Sequence, residues 1–189
     1  MGVPITGEVH IVDEATGEEV PAGTEGVIYF GEGNTFEYHL DDEKTRNSRL
    51  ANGWSTIGDV GKVDEDGFLY LTDRKAYMII SGGVNVYPQE AENLLTMHPA
   101  VLDVAVIGVP DDDLGEVPKA VVQPMAMPDG DEAAAALERD LIDYCRASLA
   151  SVKCPRAVDF RSELPRDETG KLYKRLLRDE YWQGQDRRI

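Results

Sequence analysis

The chain has 189 residues and a formal net charge of −17, from 19 Lys and Arg against 36 Asp and Glu. That length fits one ordinary domain or two small ones, and 42% hydrophobic with 29% charged residues is a globular composition rather than a disordered one. The acidic balance argues against a general affinity for nucleic acid or anionic membrane, and two cysteines supply neither a disulfide framework nor a metal-ligand spacing.

Taken in chain order, the first 75 residues read as β-rich. The opening MGVPITGEVH has neither the basic nor the apolar region of a secretory signal. Val9–Val12, Gly26–Phe30, Val60–Val63 and Phe68–Leu71 are short β-prone runs, separated by turn signals at Ala15–Glu19, Pro21–Glu25 and Asp64–Gly67. A short helix is expected over Asp42–Arg49, capped by Asp41. After Arg74 the texture changes. Tyr77–Ile80 reads as a strand ending in Ser81-Gly82-Gly83, and Pro88 opens a helix to about Met97, with Glu90 in its first turn and Ala91, Leu94 and Leu95 as its buried stripe. Val101–Val109 and Ala120–Gln123 read as strands, Glu132–Leu149 as a helix with Leu137, Leu141, Tyr144, Cys145 and Leu149 on one face, and Ala157–Phe160 as a final strand. The longest strongly apolar stretch, Val104–Pro110, is far short of the ~20 residues of a membrane span. The expected protein is therefore soluble and cytoplasmic, with a domain boundary near Asp73–Tyr77.

Charge is unevenly placed. Between Lys153 and Arg178 eight cations face four acids, a net +4 that leaves −21 on the remaining residues. Such a segment can concentrate a small phosphate-bearing ligand without attracting polyanions, and it serves equally as a solvated cationic face. Several familiar sites are missing. Gly31–Phe36 lacks the Gly-Lys-Ser/Thr ending of a P-loop, no Gly-x-Ser-x-Gly elbow occurs, and His10, His39 and His98 are too scattered for a zinc site. His98 reads as a helix-end residue and Cys145 as core.

Three segments remain as candidate chemistry. In Gly53–Asp59 the closing Asp59 can accept hydrogen bonds from two neighbouring hydroxyls, as on a ribose edge, or can merely cap a turn. Asp73-Arg74-Lys75, followed by Ser81-Gly82-Gly83, suits a ligand running close to backbone, or equally a surface salt bridge and a glycine turn. Leu164–Lys171 presents Lys171 after Gly170 on a turn, where an ammonium could neutralise two approaching anions, or be one exposed lysine among many.

In this order, with Tyr38–Thr45 (YHLDDEKT), Asp64–Arg74, Ser81–Pro88 (SGGVNVYP) and His98–Pro99 between them, the segments resemble the C-terminal part of adenylate-forming, AMP-binding enzymes. The wording DRK…MIISGG…NVYPQE is most similar to that of medium- and long-chain acyl-CoA synthetases. The resemblance implies an α+β chain: a β-rich subdomain over residues 1–75, a distorted small barrel or sheet, then a compact mobile lid over residues 76–189 with a short mixed sheet and flanking helices. It implies a ligase that joins a carboxylic acid, expected to be fatty, to coenzyme A with ATP, releasing AMP and pyrophosphate. Asp59 and Arg74 would hold the ribose of ATP or AMP, Lys171 would act at the α-phosphate, and Gly82, Gly83 and Arg156 would meet coenzyme A. No metal ligand is expected in this chain; Mg would be held mainly by the N-terminal adenylation domain that the chain lacks, so the chain alone is expected not to adenylate. A naturally short AMP- or CoA-binding module, or a lid acting in trans, is the competing reading.

Two positions depart from the family pattern. The hinge position, usually Asp or Lys, is Ala76. The aromatic and two cations that some relatives place around the coenzyme A nucleotide read here as Val152, Cys154 and Arg156, with Lys153 between.

Overall fold

The structure is a computed structural model that describes residues 2–5, 7–31 and 36–183. Most of Gly31–Phe36 and the tail from position 184 lie outside the described residues. The chain divides into two compact units, one through Ala76 and one from Tyr77.

The first unit is an open antiparallel sheet in the order β2-β1-β3-β4-β5, so of the two forms expected, barrel or sheet, it takes the sheet. Its strands are β1 (Val9–Asp13), β2 (Glu18–Glu19), β3 (Gly26–Phe30), β4 (Asp59–Val63) and β5 (Leu69–Arg74). Val12, Ile28 and Val60 are its most deeply buried side chains. Helix α1 (Asp42–Asn47) starts where expected, because Asp41 Oδ1 accepts the Lys44 amide at 2.9 Å. The turn at Asp64–Gly67 joins β4 to β5, its Asp64 carboxylate accepting the amides of Asp66 and Phe68 and the Tyr70 hydroxyl.

The second unit is built on a long hairpin, β8 (Val101–Asp111) with β9 (Gly115–Pro124). β10 (Ala157–Phe160) adds in parallel to β9, and the small hairpin β6 (Ile79–Ser81) with β7 (Val84–Val86) joins at Ser81–Gly115, making the sheet mixed. The apolar run in β8 does not alternate because both faces of the hairpin are covered. Val104, Val106, Ala120 and Val122 face Ala91 and Leu95 of α2 (Pro88–Leu95) and Leu141 and Cys145 of α3 (Gly130–Arg146). Ala105, Ile107 and Val121 face Leu164 and Leu177, the latter on α4 (Lys174–Tyr181).

Four details depart from the sequence reading. Tyr77 belongs to a 3₁₀ turn, Lys75–Tyr77, so β6 begins at Ile79. Ser81-Gly82-Gly83-Val84 turns the chain into a further strand, β7, which the sequence reading did not include. β9 begins five residues before Ala120, its early part having a Pro and two charged residues that mask the strand pattern. Helix α4 was hidden by its cations, since only Leu177 and Lys174 of its residues are buried.

Candidate functional site

Asp59 opens β4 and Arg74 closes β5, and the two are cross-strand partners with Nε 3.2 Å from Oδ1. A bulge puts them there. Through Val63↔Leu69, Lys62↔Tyr70 and Gly61↔Leu71 the register is uniform, but the next pair is Val60↔Asp73, which leaves Thr72 as the extra residue. Continued without the bulge, the register would set Asp59 opposite Asp73, two like charges. The side chain of Asp59 is 21% exposed and that of Arg74 is 59% exposed, so the pair presents a carboxylate and a guanidinium side by side at the sheet's end. Immediately after it, the Lys75 amide donates to Gly58 O at 2.8 Å and its Nζ to Glu14 Oε1 at 2.5 Å. Lys75 is thus tied by backbone and side chain, and Ala76, which follows it, is exposed.

In the second unit Gly82 and Gly83 occupy the two central positions of the β6–β7 turn with φ of +57° and +81°, the paired left-handed conformations of a tight hairpin turn. The Gly82 amide donates to Leu114 O at 2.9 Å, and a Cβ on Gly82 would sit 3.0 Å from Leu114 Cδ2, while one on Gly83 would meet open space. Leu114 lies in the β8–β9 turn, whose Asp111 Oδ2 is 3.7 Å from Arg156 Nη1. Gly82, Gly83 and Arg156 therefore gather around one hairpin tip. Lys153, three residues before Arg156, is held by Glu90 Oε1 at 2.5 Å.

Lys171 is elsewhere. Its turn is closed by Asp167, whose Oδ1 accepts the Thr169 hydroxyl at 2.6 Å and the amides of Thr169 and Lys171, both at 2.9 Å. The Thr169 hydroxyl first, and the Lys171 amide next, hold the Asp167 carboxyl below its usual range. Gly170 takes φ +85°, and Arg166 clamps the turn by donating Nη1 to Gly170 O at 2.6 Å and Nε and Nη2 to Asp103 Oδ2 at 2.9 and 2.5 Å. The Lys171 side chain itself is exposed and makes no ion pair among the described residues.

Asp103 and Asp111 thus tether the two groups near opposite ends of β8, eight residues apart, about 27 Å along an extended strand. The structure brings Asp59 together with Arg74, and Gly82 and Gly83 together with Arg156; it keeps Lys171 separate from the glycine turn. Sequence reasoning missed the two tethering aspartates. Asp111, opening the turn sequence Asp-Asp-Asp-Leu-Gly, had a local signal, whereas Asp103 is visible only through its distant partner Arg166. Among the described residues, no cluster of His, Cys, Asp and Glu is placed to hold a metal ion, and no helix is long and apolar enough to cross a membrane.

Residues 90–171 match the sequence profile of the AMP-binding enzyme C-terminal domain. They belong to that family. The chain's curated relatives include CoA ligases. It is 40% identical over 165 residues to a 2-succinylbenzoate–CoA ligase of Bacillus cereus, covering 87% of this chain and 33% of the relative. It is 41% identical over 168 residues to the long-chain-fatty-acid–CoA ligase FadD13 of Mycobacterium tuberculosis, covering 84% of this chain and 32% of the relative. Among solved structures, ATP-bound MatB from Rhodopseudomonas palustris superposes with a TM-score of 0.77 at 34% identity, over 96% of this chain and 35% of MatB. The chain accordingly spans about a third of the length of the proteins it matches.

Proposed function

We propose that this chain is the C-terminal working part of an ATP-dependent acid–CoA ligase, acting on a fatty acid in the cytoplasm. Two bond exchanges make up the reaction. A carboxylate oxygen of the acid attacks the α-phosphorus of ATP, the bond to pyrophosphate breaks, and an acyl-adenylate remains. The coenzyme A thiol, losing its proton to solvent, then attacks the acyl carbonyl, and AMP leaves with the electron pair of the broken C–O bond.

Each candidate residue has a physical role in that sequence. Asp59 accepts the ribose hydroxyls and Arg74, held alongside it, donates to them. Lys171, free of any ion pair among the described residues and fixed at its backbone, brings positive charge to the point where the carboxylate and phosphate, both anions, must meet. Gly82 and Gly83, lacking side chains, leave room for the pantetheine arm to pass close to backbone, and Arg156 meets a phosphate of coenzyme A. The phosphate-gripping loop and the Mg site belong to the remaining two-thirds of the parent, so residues 1–75 complete that adenylation domain while residues 76–189 are the mobile lid. Rotation at Ala76 exchanges one end of the lid for the other between half-reactions.

The observation that supports this reading is the separation along β8: a cation for the first step near one strand end, and a side-chain-free turn with an arginine for the second step near the other. The test uses the full-length parent with a panel of carboxylic acids, following acid-dependent pyrophosphate exchange and CoA-dependent thioester formation separately. Both activities with medium- or long-chain acids are expected. Exchange with no acid in the panel, or adenylation without thioester formation on adding coenzyme A, overturns the reading.

A further inference from the structure

Lys174 lies three residues beyond Lys171, on the first turn of α4, and is buried. Its Nζ donates to Glu92 Oε2 at 2.7 Å, with the Lys174 side chain 9% and the Glu92 side chain 7% exposed. Glu92 projects from α2 and uses its other oxygen, Oε1, to accept the Val106 amide of β8 at 2.6 Å. One carboxylate thereby joins three elements: the helix it sits on, the strand that carries the lid, and the helix that follows the Lys171 turn. The ring of Tyr77 adds a second contact, with Lys174 Nζ 5.0 Å from its centroid.

This pair does not resemble an ordinary surface bridge. Burying two charges is costly and is matched only when geometry and hydrogen bonding are nearly complete, so the pair fixes position more than it adds stability. What it fixes is the far side of the Lys171 turn. The near side is clamped by Arg166 on Asp103, and Tyr173 donates its amide to Pro165 O at 2.9 Å. Over the three residue steps from Lys171 to Lys174 the backbone has at most about 11 Å of reach, so a slip of α4 along β8 carries Lys171 with it.

We propose that Glu92 is a positioning residue for adenylation, acting through Lys174 to set where the Lys171 ammonium stands. The inference rests on the role given to Lys171 in the proposed function. The test uses the full-length parent, with pyrophosphate exchange as the readout of adenylation and thioester formation from supplied acyl-adenylate as the readout of the second step. Glu92→Gln is expected to lower kcat for exchange on the order of tens of fold, with KM for the acid little changed, and to leave the second step near its original rate. In a Lys171→Ala background the same substitution is expected to add no further loss, because a residue that works through Lys171 has nothing left to position. Lys174→Arg, which keeps the charge but lengthens and reshapes the donor, serves where Glu92→Gln does not fold, and is expected to show the same split.

Equal slowing of both half-reactions, no slowing of either, or an undiminished effect in the Lys171→Ala background overturns the proposal. If Lys171→Ala itself leaves exchange intact, the role of Lys171 is what fails, and the single substitution at Lys171 reports that separately.

Discussion

Arg74 stands opposite Asp59, rather than one residue out of step, because Thr72 is an extra residue in β5. The bulge exchanges a repulsive Asp59–Asp73 pairing for a complementary one and leaves the guanidinium largely in solvent, where a second partner can reach it. In the free protein the pair is a surface ion pair, which contributes about 1 kcal/mol or less to stability.

Arg74→Ala should therefore barely change the melting temperature while raising KM for ATP in the full-length parent about ten- to hundredfold, the worth of a hydrogen bond to a charged group. Nucleotide titration alongside a thermal melt checks both halves. A large stability loss with unchanged KM would make the pair purely structural.

Lys171→Ala should lower acid-dependent pyrophosphate exchange by about a hundred- to thousandfold, the usual effect of removing one group aimed at developing charge. Thioester formation from supplied acyl-adenylate should largely survive. Rapid-quench assays of each half-reaction distinguish this from general damage.

At Gly83 the backbone and the open space around it can be tested apart. Gly83→Ala should cost about 1–2 kcal/mol in urea unfolding, because φ is +81° and an L-residue is strained there. Larger side chains should add little to that cost, since a Cβ at this position would have no neighbour within 4 Å. They should nevertheless slow the thioester step progressively while adenylation holds.

Asp167 makes the Lys171 turn acid-sensitive. Its carboxyl is held below the ordinary aspartate value of 3.8 by the Thr169 hydroxyl and then the Lys171 amide. A depressed carboxyl contributes stability that is present above its unfolded pKa, about 3.9, and is lost as pH falls through the lower folded value. The Thr169 and Lys171 amide shifts should titrate together with a midpoint below 3.8, and Asp167→Asn should abolish that transition without altering the neutral-pH fold.

Cys145 and Cys154 are both buried, and burial pushes the Cys145 thiol up to about 11. Neither should react with a thiol reagent in the native protein near neutral pH, and both should react on unfolding. Rapid native labelling of Cys145 would show that the core around α3 opens readily.

The elements that read clearly from sequence are those whose signal is local. The capping Asp41, Pro88 at the start of α2 and the Asp64–Gly67 turn each act within a few residues, and the apolar run of β8 needs no partner to be seen. Helix α4 was illegible because a helix that docks through Leu177 and one buried lysine looks like a charged tail until Glu92, 82 residues away, is placed beside it. The candidate residues were found by motif and grouped only by the family resemblance; the physical basis of the grouping was not legible, since it depends on the Thr72 bulge and on which end of β8 each loop returns to.

The family pattern stops at residue 171, but the folding unit does not. A chain cropped there would keep every matched position and still uncover Ala105, Ile107 and Val121, because Leu177 would be gone, while Glu92 would lose Lys174. Trp182, whose indole donates to Gly108 O at 3.0 Å, marks a safer place to cut. For recombinant work on this unit, the profile match is thus a poor guide to the shortest piece that folds.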